Sequence, residues 1–175
     1  MDLSAVRILV VDDNRQAAEV VKSILGGLGA VEVPIARDVA EAYGVIRSEM
    51  IDLVIVDQNL GKGGYGSELV RRIRHDPTSP RPYLPIVMLT GYADERRVRA
   101  ARDAGVNEFL VKPFTAAGLI RRIEALACQT RPFVRTAVYF GPDRRRRADP
   151  DYDGPERRAP RRGGGGDVHH VDSDG

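Results

Sequence analysis

Short aliphatic runs recur along the first part of the chain, and a helical pattern follows each of them. The runs lie at residues 7–11, 53–56, 84–89 and 108–111. Their nearly unbroken apolar character predicts strands that are buried on both faces, which is typical of parallel sheets.

One further strand is predicted between the first two runs. Val31, Val33 and Ile35 alternate with Glu32 and Pro34, a pattern that indicates a half-exposed strand. Proline has no N–H to donate to a neighbouring strand, so this strand is expected at an edge of the sheet.

Helices are predicted after every strand, and four of them begin at residues typical of helix caps: Asn14, Asp38, Asp94 and Thr115. The third helix instead follows Gly61–Gly66, which we expect to be a flexible connection. The spacing of these glycines matches no phosphate-binding loop. The core-facing positions of the first helix are expected at Ala17, Val20, Val21, Ile24, Leu25 and Leu28.

Strands that alternate with helices are joined by right-handed crossovers and therefore run parallel. The pattern predicts an α/β fold of the doubly wound type, in which a five-stranded parallel sheet carries helices on both faces. In such a sheet all strands end on one edge, and that edge collects the functional groups.

Polar side chains follow four of the predicted strands at this edge. Asp12 and Asp13 end the first strand, Asp57 the third, Thr90 the fourth and Lys112 the fifth. Each residue alone has an ordinary alternative role in a turn, as a cap or as a solvated charge. Together they predict a site, because crowded carboxylates raise each other's pKa unless a cation lies among them.

The chemistry of such a site follows from its ligand types. Carboxylates without cysteine or a nearby histidine suit a hard cation, so Mg²⁺ is the expected cofactor. An aspartate that attacks a phosphoryl group forms an aspartyl phosphate. The metal ion, the Lys112 ammonium and the Thr90 hydroxyl are expected to stabilise the charge on the phosphoryl oxygens.

The chain resembles the response regulator receiver domain, the CheY-like family, in Asp12-Asp13, Asp57, Thr90 and Lys112-Pro113. The resemblance covers residues 5–127 and implies the flavodoxin-like strand order 2-1-3-4-5. It implies a single-domain response regulator of a two-component or phosphorelay system. The phosphoryl donor would be a sensor histidine kinase or a histidine phosphotransfer protein.

The same resemblance implies roles for individual residues. Asp57 would be the phosphoacceptor, and Asp12 or Asp13 would hold Mg²⁺ together with Asp57 and the backbone carbonyl of Asn59. Thr90 would bond the phosphoryl group, and Lys112 would form an ion pair with it. Such a protein is not an enzyme beyond its own phosphorylation and dephosphorylation.

Two structural features are implied as well. Phe109 occupies the switch position of the family and would turn inward when Thr90 moves, although a buried core ring is the ordinary alternative. The Lys112–Pro113 peptide bond is expected to be cis.

Two departures from the family pattern concern the loop and the fourth helix. Asn59-Leu60-Gly61-Lys62 replaces the usual Met-Pro turn after the phosphoacceptor and predicts a looser loop. Val98 is the one large aliphatic residue of the fourth helix before Gly105, so that helix is expected to be held weakly. We expect phosphorylation to shift the face formed by the fourth helix, fifth strand and fifth helix, where a downstream protein would bind.

Composition bears on the charge of the protein and on the compartment in which we expect it. Residues 1–128 hold 17 Lys and Arg against 17 Asp and Glu, so this part is neutral. The single cysteine, Cys128, excludes an internal disulfide and suits a reducing compartment. The start of the chain has no basic leader, and no apolar stretch of about 18 residues occurs, so we expect a cytoplasmic protein.

The chain after the fifth helix changes in composition. We expect an extended segment at 128–143 that packs on the receiver-like part, the favoured alternative, or on a partner. A tail at 144–175, rich in Arg, Gly and Pro, is expected to be disordered. The apolar residues of the extended segment are Phe133, Val134, Val138, Tyr139 and Phe140.

The arginine run 144–147 suits a phosphate backbone or an acidic protein face. Nucleic acid is disfavoured, because acidic residues interleave with the arginines and the run contains no aromatic residue for stacking. An acidic protein partner and a solvated tail both stay open.

Two other functions fit the residues less well. A hydrolase of the haloacid dehalogenase type places a second Asp two residues after its nucleophile, whereas Asn59 follows Asp57 and Asn14 follows Asp12 at that distance. A scaffold that works without phosphorylation is disfavoured, because every residue of the site is present.

Overall fold

The computed structural model describes residues 1–91, 95–128, 133–136 and 139–143, with backbone alone at 95–98 and 128. The first five strands are β1 (Ile8–Val11), β2 (Ile35–Ala36), β3 (Leu53–Asp57), β4 (Ile86–Thr90) and β5 (Glu108–Val111). The helices are α1 (Arg15–Gly26), α2 (Val39–Ser48), α3 (Gly66–His75), α4 (Glu95–Ala104) and α5 (Ala116–Cys128). A short 3₁₀ turn, Gly61–Gly63, precedes α3.

The five strands form one parallel sheet in the order β2-β1-β3-β4-β5, which confirms the predicted fold. The pairing register brings the strand ends to one edge, since Asp57 lies opposite Leu89 and Thr90 lies opposite Val111. The residues that end or follow β1, β3, β4 and β5 are therefore neighbours in space.

The sheet separates two apolar clusters. Alternate strand residues such as Leu9 and Val54 face α2, α3 and α4, whereas Ile8 and Ile55 face α1 and α5. These four side chains are fully buried, as expected for strands covered on both faces. Two packed layers of helices thus hold the central strands, and with them the strand ends, in place.

The predicted second strand is correct in its edge position and wrong in its extent. The observed strand is Ile35–Ala36, and the preceding residues lie outside the sheet. Val31 is 78% exposed while Val33 is buried, although a strand would put both on one face. Pro34 has no N–H to extend the ladder towards Val33, and the ladder begins at its carbonyl, which accepts a bond from Val10 N at 3.0 Å.

The capping residues Asn14, Asp38 and Thr115 are confirmed. Their side-chain oxygens accept backbone N–H bonds of 2.8–3.2 Å at the starts of α1, α2 and α5. Asp94, the predicted start of α4, lies outside the described residues. Within α1 the buried face is Ala18, Val21 and Leu25, so the assignment of Val20 to the core is wrong: it is 58% exposed.

The segment after α5 forms an antiparallel pair of strands, β6 (Phe133–Arg135) and β7 (Phe140–Pro142), here called the hairpin. It belongs to the same compact unit as the sheet, Met1–Arg144. Phe140 is 3% exposed, whereas Val134 is 37% exposed. Val138 and the predicted tail at 144–175 lie outside the described residues.

Within the part of the chain that is described, no helix combines the length and the hydropathy that crossing a membrane requires.

Candidate functional site

Three carboxylates lie together at the strand ends. Asp12 and Asp13 follow β1, Asp57 ends β3, and the pairing of Val11 with Val56 brings the two strand ends side by side. One oxygen from each carboxylate lies within 4.8 Å of the other two. Asp12 is buried and Asp13 is exposed, so the cluster opens to solvent on one side.

Lys112, which follows β5, contributes the positive charge of the site. Its Nζ lies 2.8 Å from Asp57 Oδ2 and 3.3 Å from Asp12 Oδ2. The Lys112–Pro113 peptide bond is cis, in agreement with the expectation from the sequence. The ammonium therefore bridges the two carboxylates that come from neighbouring strands.

Burial and the neighbouring charges act in opposite directions on the pKa values of Asp12 and Lys112. Burial raises the pKa of Asp12, and the nearby Asp57 adds to the rise, while the Asn14 N–H and Lys112 counteract it. Burial favours the neutral form of Lys112, but its bonds to Asp57 and Asp12 outweigh this and raise the pKa of the lysine. One ammonium thus leaves the buried carboxylate incompletely compensated, which a bound cation would relieve.

The donor set fits Mg²⁺, since it consists of carboxylate oxygens alone and leaves one side open for water and phosphoryl oxygens. Asp12, Asp13 and Asp57 would hold the ion. The backbone carbonyl of Asn59 stays a prediction as a further ligand. The side chain of Asn59 has a different role, because Asn59 Oδ1 accepts a hydrogen bond from the Gly61 N–H at 3.2 Å.

The glycine-rich connection after Asn59 contains a hydrogen-bonded turn, and its flexibility stays a prediction. Leu60 N donates to Gly64 O at 3.0 Å, and Gly63 N donates to Leu60 O at 2.8 Å. The Leu60 side chain is fully buried and anchors the turn. Gly61 has φ +56°, and a Cβ there would lie 2.5 Å from Asp13 Oδ2.

Gly61 and Gly66 are site-forming residues that sequence reasoning missed. A Cβ at Gly66 would overlap the backbone carbonyl oxygen of Asp57, so α3 can begin close to the end of β3. The signal was present in the glycine density of the loop. In the sequence this glycine density predicts flexibility, whereas in the structure the missing side chains allow close approach.

Thr90 lies at the C-terminal end of β4, and Phe109 lies in β5 beside the core. Thr90 is 5% exposed, and its hydroxyl donates to its neighbour Gly91 O at 3.2 Å. Phe109 is partly buried against the cluster that α2, α3 and α4 cover. The switch roles of both residues stay predictions.

Comparison with known proteins agrees with this geometry. The family model described as the response regulator receiver domain matches residues 8–124, more than half of the chain. The chain belongs to the response regulator receiver domain family.

Chemotaxis proteins are among the relatives of this receiver. It is 34% identical over 120 residues to CheY-3 of Vibrio cholerae, which covers 69% of this chain and 90% of the relative. It is also 34% identical to CheY of Pseudomonas aeruginosa, with 69% of this chain and 94% of the relative covered.

Solved structures show the same fold. A CheY-like receiver domain protein of Methanospirillum hungatei superposes with a TM-score of 0.62 at 30% identity, covering 69% of this chain and 92% of that one. Vibrio cholerae CheY4 gives 0.61 at 28% identity, with 68% and 96% covered.

Family membership confirms the sequence-based identification and relates the carboxylate cluster to the acidic pocket of receiver domains. Receiver domains take part in two-component signalling, interact with histidine kinases or phosphotransfer proteins, and bind Mg²⁺ through an acidic pocket. In this chain the acidic pocket is Asp12, Asp13 and Asp57.

Proposed function

We propose that this receiver is a single-domain response regulator that accepts a phosphoryl group on Asp57. The observation that carries the proposal is the 2.8 Å contact of Lys112 Nζ with Asp57 Oδ2 inside the acidic pocket. The donor would be the phosphohistidine of a cytoplasmic sensor kinase or phosphotransfer protein, and the readout would be protein binding.

In the proposed reaction a carboxylate oxygen of Asp57 forms an O–P bond while the P–N bond of the donor phosphohistidine breaks. The electron pair of the broken bond stays on the imidazole nitrogen, so atoms and charge balance without a further reactant. Lys112 and the Thr90 hydroxyl would hold the equatorial phosphoryl oxygens. Mg²⁺, when bound, supplies positive charge between the carboxylates and the incoming phosphoryl group.

We further propose that the protein is a signalling acceptor and not an enzyme with an external substrate. The acidic pocket and Lys112 suit one phosphoryl transfer to Asp57 and its later hydrolysis. A phosphorylation-dependent change of partner is then the output.

The downstream partner is proposed to bind the α4–β5–α5 face. β5 is an edge strand, and Val111 at its end is 44% exposed. Among the described side chains of α4, those buried in the core are the small Ala101 and Ala104. Alanine side chains contribute little buried area, which supports a helix that can shift at low cost.

The test is phosphoryl transfer from a small donor, acetyl phosphate, with Mg²⁺ and detection by intact-protein mass spectrometry. We expect the wild type to gain one phosphoryl group and Asp57→Asn to gain none. Asp52→Asn, which removes a carboxylate at the opposite end of β3, is the matched control and should be labelled like the wild type. Equal labelling of Asp57→Asn would refute the proposal.

A further inference from the structure

The hairpin covers a surface at the C-terminal ends of α3 and α4, on the side of the sheet remote from the acidic pocket. We call the residues that it contacts, Arg74, His75, Tyr83 and Gly105, the α3–α4 end surface; Tyr83 and His75 lie at its exposed rim. The Phe140 ring lies edge-on to Tyr83 with a centroid separation of 5.2 Å and to His75 at 6.4 Å. Phe133 lies edge-on to Tyr83 at 5.0 Å.

A buried arginine organises this surface. Arg74 is 2% exposed and donates to the carbonyls of Gly105 at 3.1 Å, Pro82 at 2.8 Å and Leu84 at 2.8 Å. Its guanidinium carbon lies 5.1 Å from the Phe133 ring centroid. Burial lowers the pKa of Arg74 to about 9, which still leaves it charged at neutral pH. One cation thus joins α3, the loop before β4, the end of α4 and the hairpin.

The contact between the hairpin and α4 is made by backbone. Gly105, directly after α4, has φ +101°, and a Cβ there would lie 2.5 Å from the carbonyl oxygen of Phe140. A Cβ on Gly141 would lie 2.7 Å from Gly105 Cα. Two glycines therefore let the backbone of β7 lie directly against the backbone at the end of α4.

This contact lies on the element that is proposed to move. Among the described side chains of α4, the buried Ala101 and Ala104 lie within four residues of Gly105. A shift of α4 displaces the Gly105 carbonyl, which Arg74 binds, and the Gly105 backbone, on which Gly141 lies. Close backbone contacts of this kind are either made or lost, because packed surfaces deform little.

We propose that the α3–α4 end surface is a docking site whose ligand is the chain's own hairpin, and that phosphorylation of Asp57 weakens this docking. The proposal rests on the proposed function, because phosphorylation is what would displace α4. The tail beyond residue 143 continues directly from β7, so release of the hairpin changes what the receiver presents to a partner.

Amide hydrogen exchange on the full chain, with and without beryllofluoride and Mg²⁺, tests the proposal in the wild type. We expect exchange in 133–135 and 140–142 to become faster by about fivefold or more, the lower range of allosteric couplings. Slower exchange near residues 53–60 reports that the phosphate mimic is bound. Bound mimic with unchanged hairpin exchange would overturn this proposal and leave the proposed function standing, whereas absence of mimic binding would overturn both.

Linkage supplies a reciprocal test with a variant. Gly141→Ala places a methyl group against Gly105 and should undock the hairpin, and by reciprocity it should raise the affinity for beryllofluoride by a similar factor. Gly44→Ala is the matched control, because a Cβ at Gly44 has no neighbour within 4 Å. Phe140→Ala repeats the test by removing an aromatic contact. Unchanged affinity in both Gly141→Ala and Phe140→Ala would contradict the coupling.

Discussion

Burial makes the ionised form of Asp12 unfavourable in the folded protein. Its carboxylate is almost fully buried, and one ammonium, Lys112, divides its charge between Asp12 and Asp57. The folded state therefore binds a proton on Asp12 more readily than the unfolded chain does. The pKa of Asp12 is therefore higher in the folded state than in the unfolded state. By linkage, ionisation of Asp12 lowers the free energy of unfolding at pH values above the unfolded pKa, and this loss disappears when the pH falls below both the folded and the unfolded pKa.

We predict that Asp12→Asn stabilises the metal-free protein at neutral pH. The amide can still accept the bond from Asn14 N, while the unfavourable charge is gone. The melting temperature should rise by about 2–4 °C, which corresponds to ~1 kcal/mol in a chain of this size. Thermal unfolding checks this in chelator, where the advantage should shrink as the pH falls from the raised folded pKa of Asp12 towards 3.8 and vanish below that value. With saturating Mg²⁺ the order should reverse, because a ligand is missing; a less stable variant in chelator would contradict the account.

Gly61 is predicted to hold the Asp13 carboxylate in position. A Cβ at Gly61 would lie 2.5 Å from Asp13 Oδ2, so Gly61→Ala should displace this ligand and weaken Mn²⁺ binding, measured by titration calorimetry, by about tenfold. Gly64→Ala is a matched control: its φ is also positive, at +96°, and its Cβ would meet a carboxylate outside the pocket, that of Glu68, at 2.7 Å. Equal losses of Mn²⁺ affinity in both variants would show that Gly61 acts through backbone strain alone.

At the scale of elements, the pattern of apolar runs predicts β1, β3 and β4 because both faces of each strand are buried. It also predicts β5, although this edge strand is only partly buried and its Val111 is 44% exposed. It fails at β2, where Pro34 ends the ladder and the burial of Val33 depends on packing that no local pattern reports. It does not reveal the close approach at Gly61 and Gly66, since a glycine needed for close approach and a glycine in a flexible loop look the same in one sequence.

The hairpin is predicted to contribute to stability through Phe140. Replacement of this 3% exposed ring by alanine should lower the free energy of unfolding by about 3 kcal/mol, as is usual for buried phenylalanine. Val134→Ala in the paired strand, where the side chain is 37% exposed, should change it by less than about 0.5 kcal/mol. Denaturant unfolding compares the two; similar small effects would mean that the hairpin is not packed as described.

For the molecule as a whole, the site follows from topology more than from any one residue. Asp12, Asp57 and Lys112 are up to 100 positions apart, and parallel strands bring them within hydrogen-bonding distance. That convergence can be predicted from the sequence because all strands of such a sheet end on one side. The placement of the hairpin on Arg74 and Gly105 cannot be predicted in this way, because no local sequence pattern indicates which surface an extended segment will cover.

The two proposals give this receiver two places that would respond to phosphorylation: the α4–β5–α5 face and the hairpin at the end of α4. Both would depend on phosphorylation of Asp57, and both would fail if the phosphoryl group were attached elsewhere.

The site of phosphoryl attachment is accordingly the most direct test. After reaction with acetyl phosphate and Mg²⁺, borohydride reduction converts an aspartyl phosphate to homoserine, which tandem mass spectrometry can locate in the chain. The account predicts homoserine at position 57 and unmodified aspartate at positions 12 and 13. Homoserine at 12 or 13, or none in a fully folded protein, would contradict it.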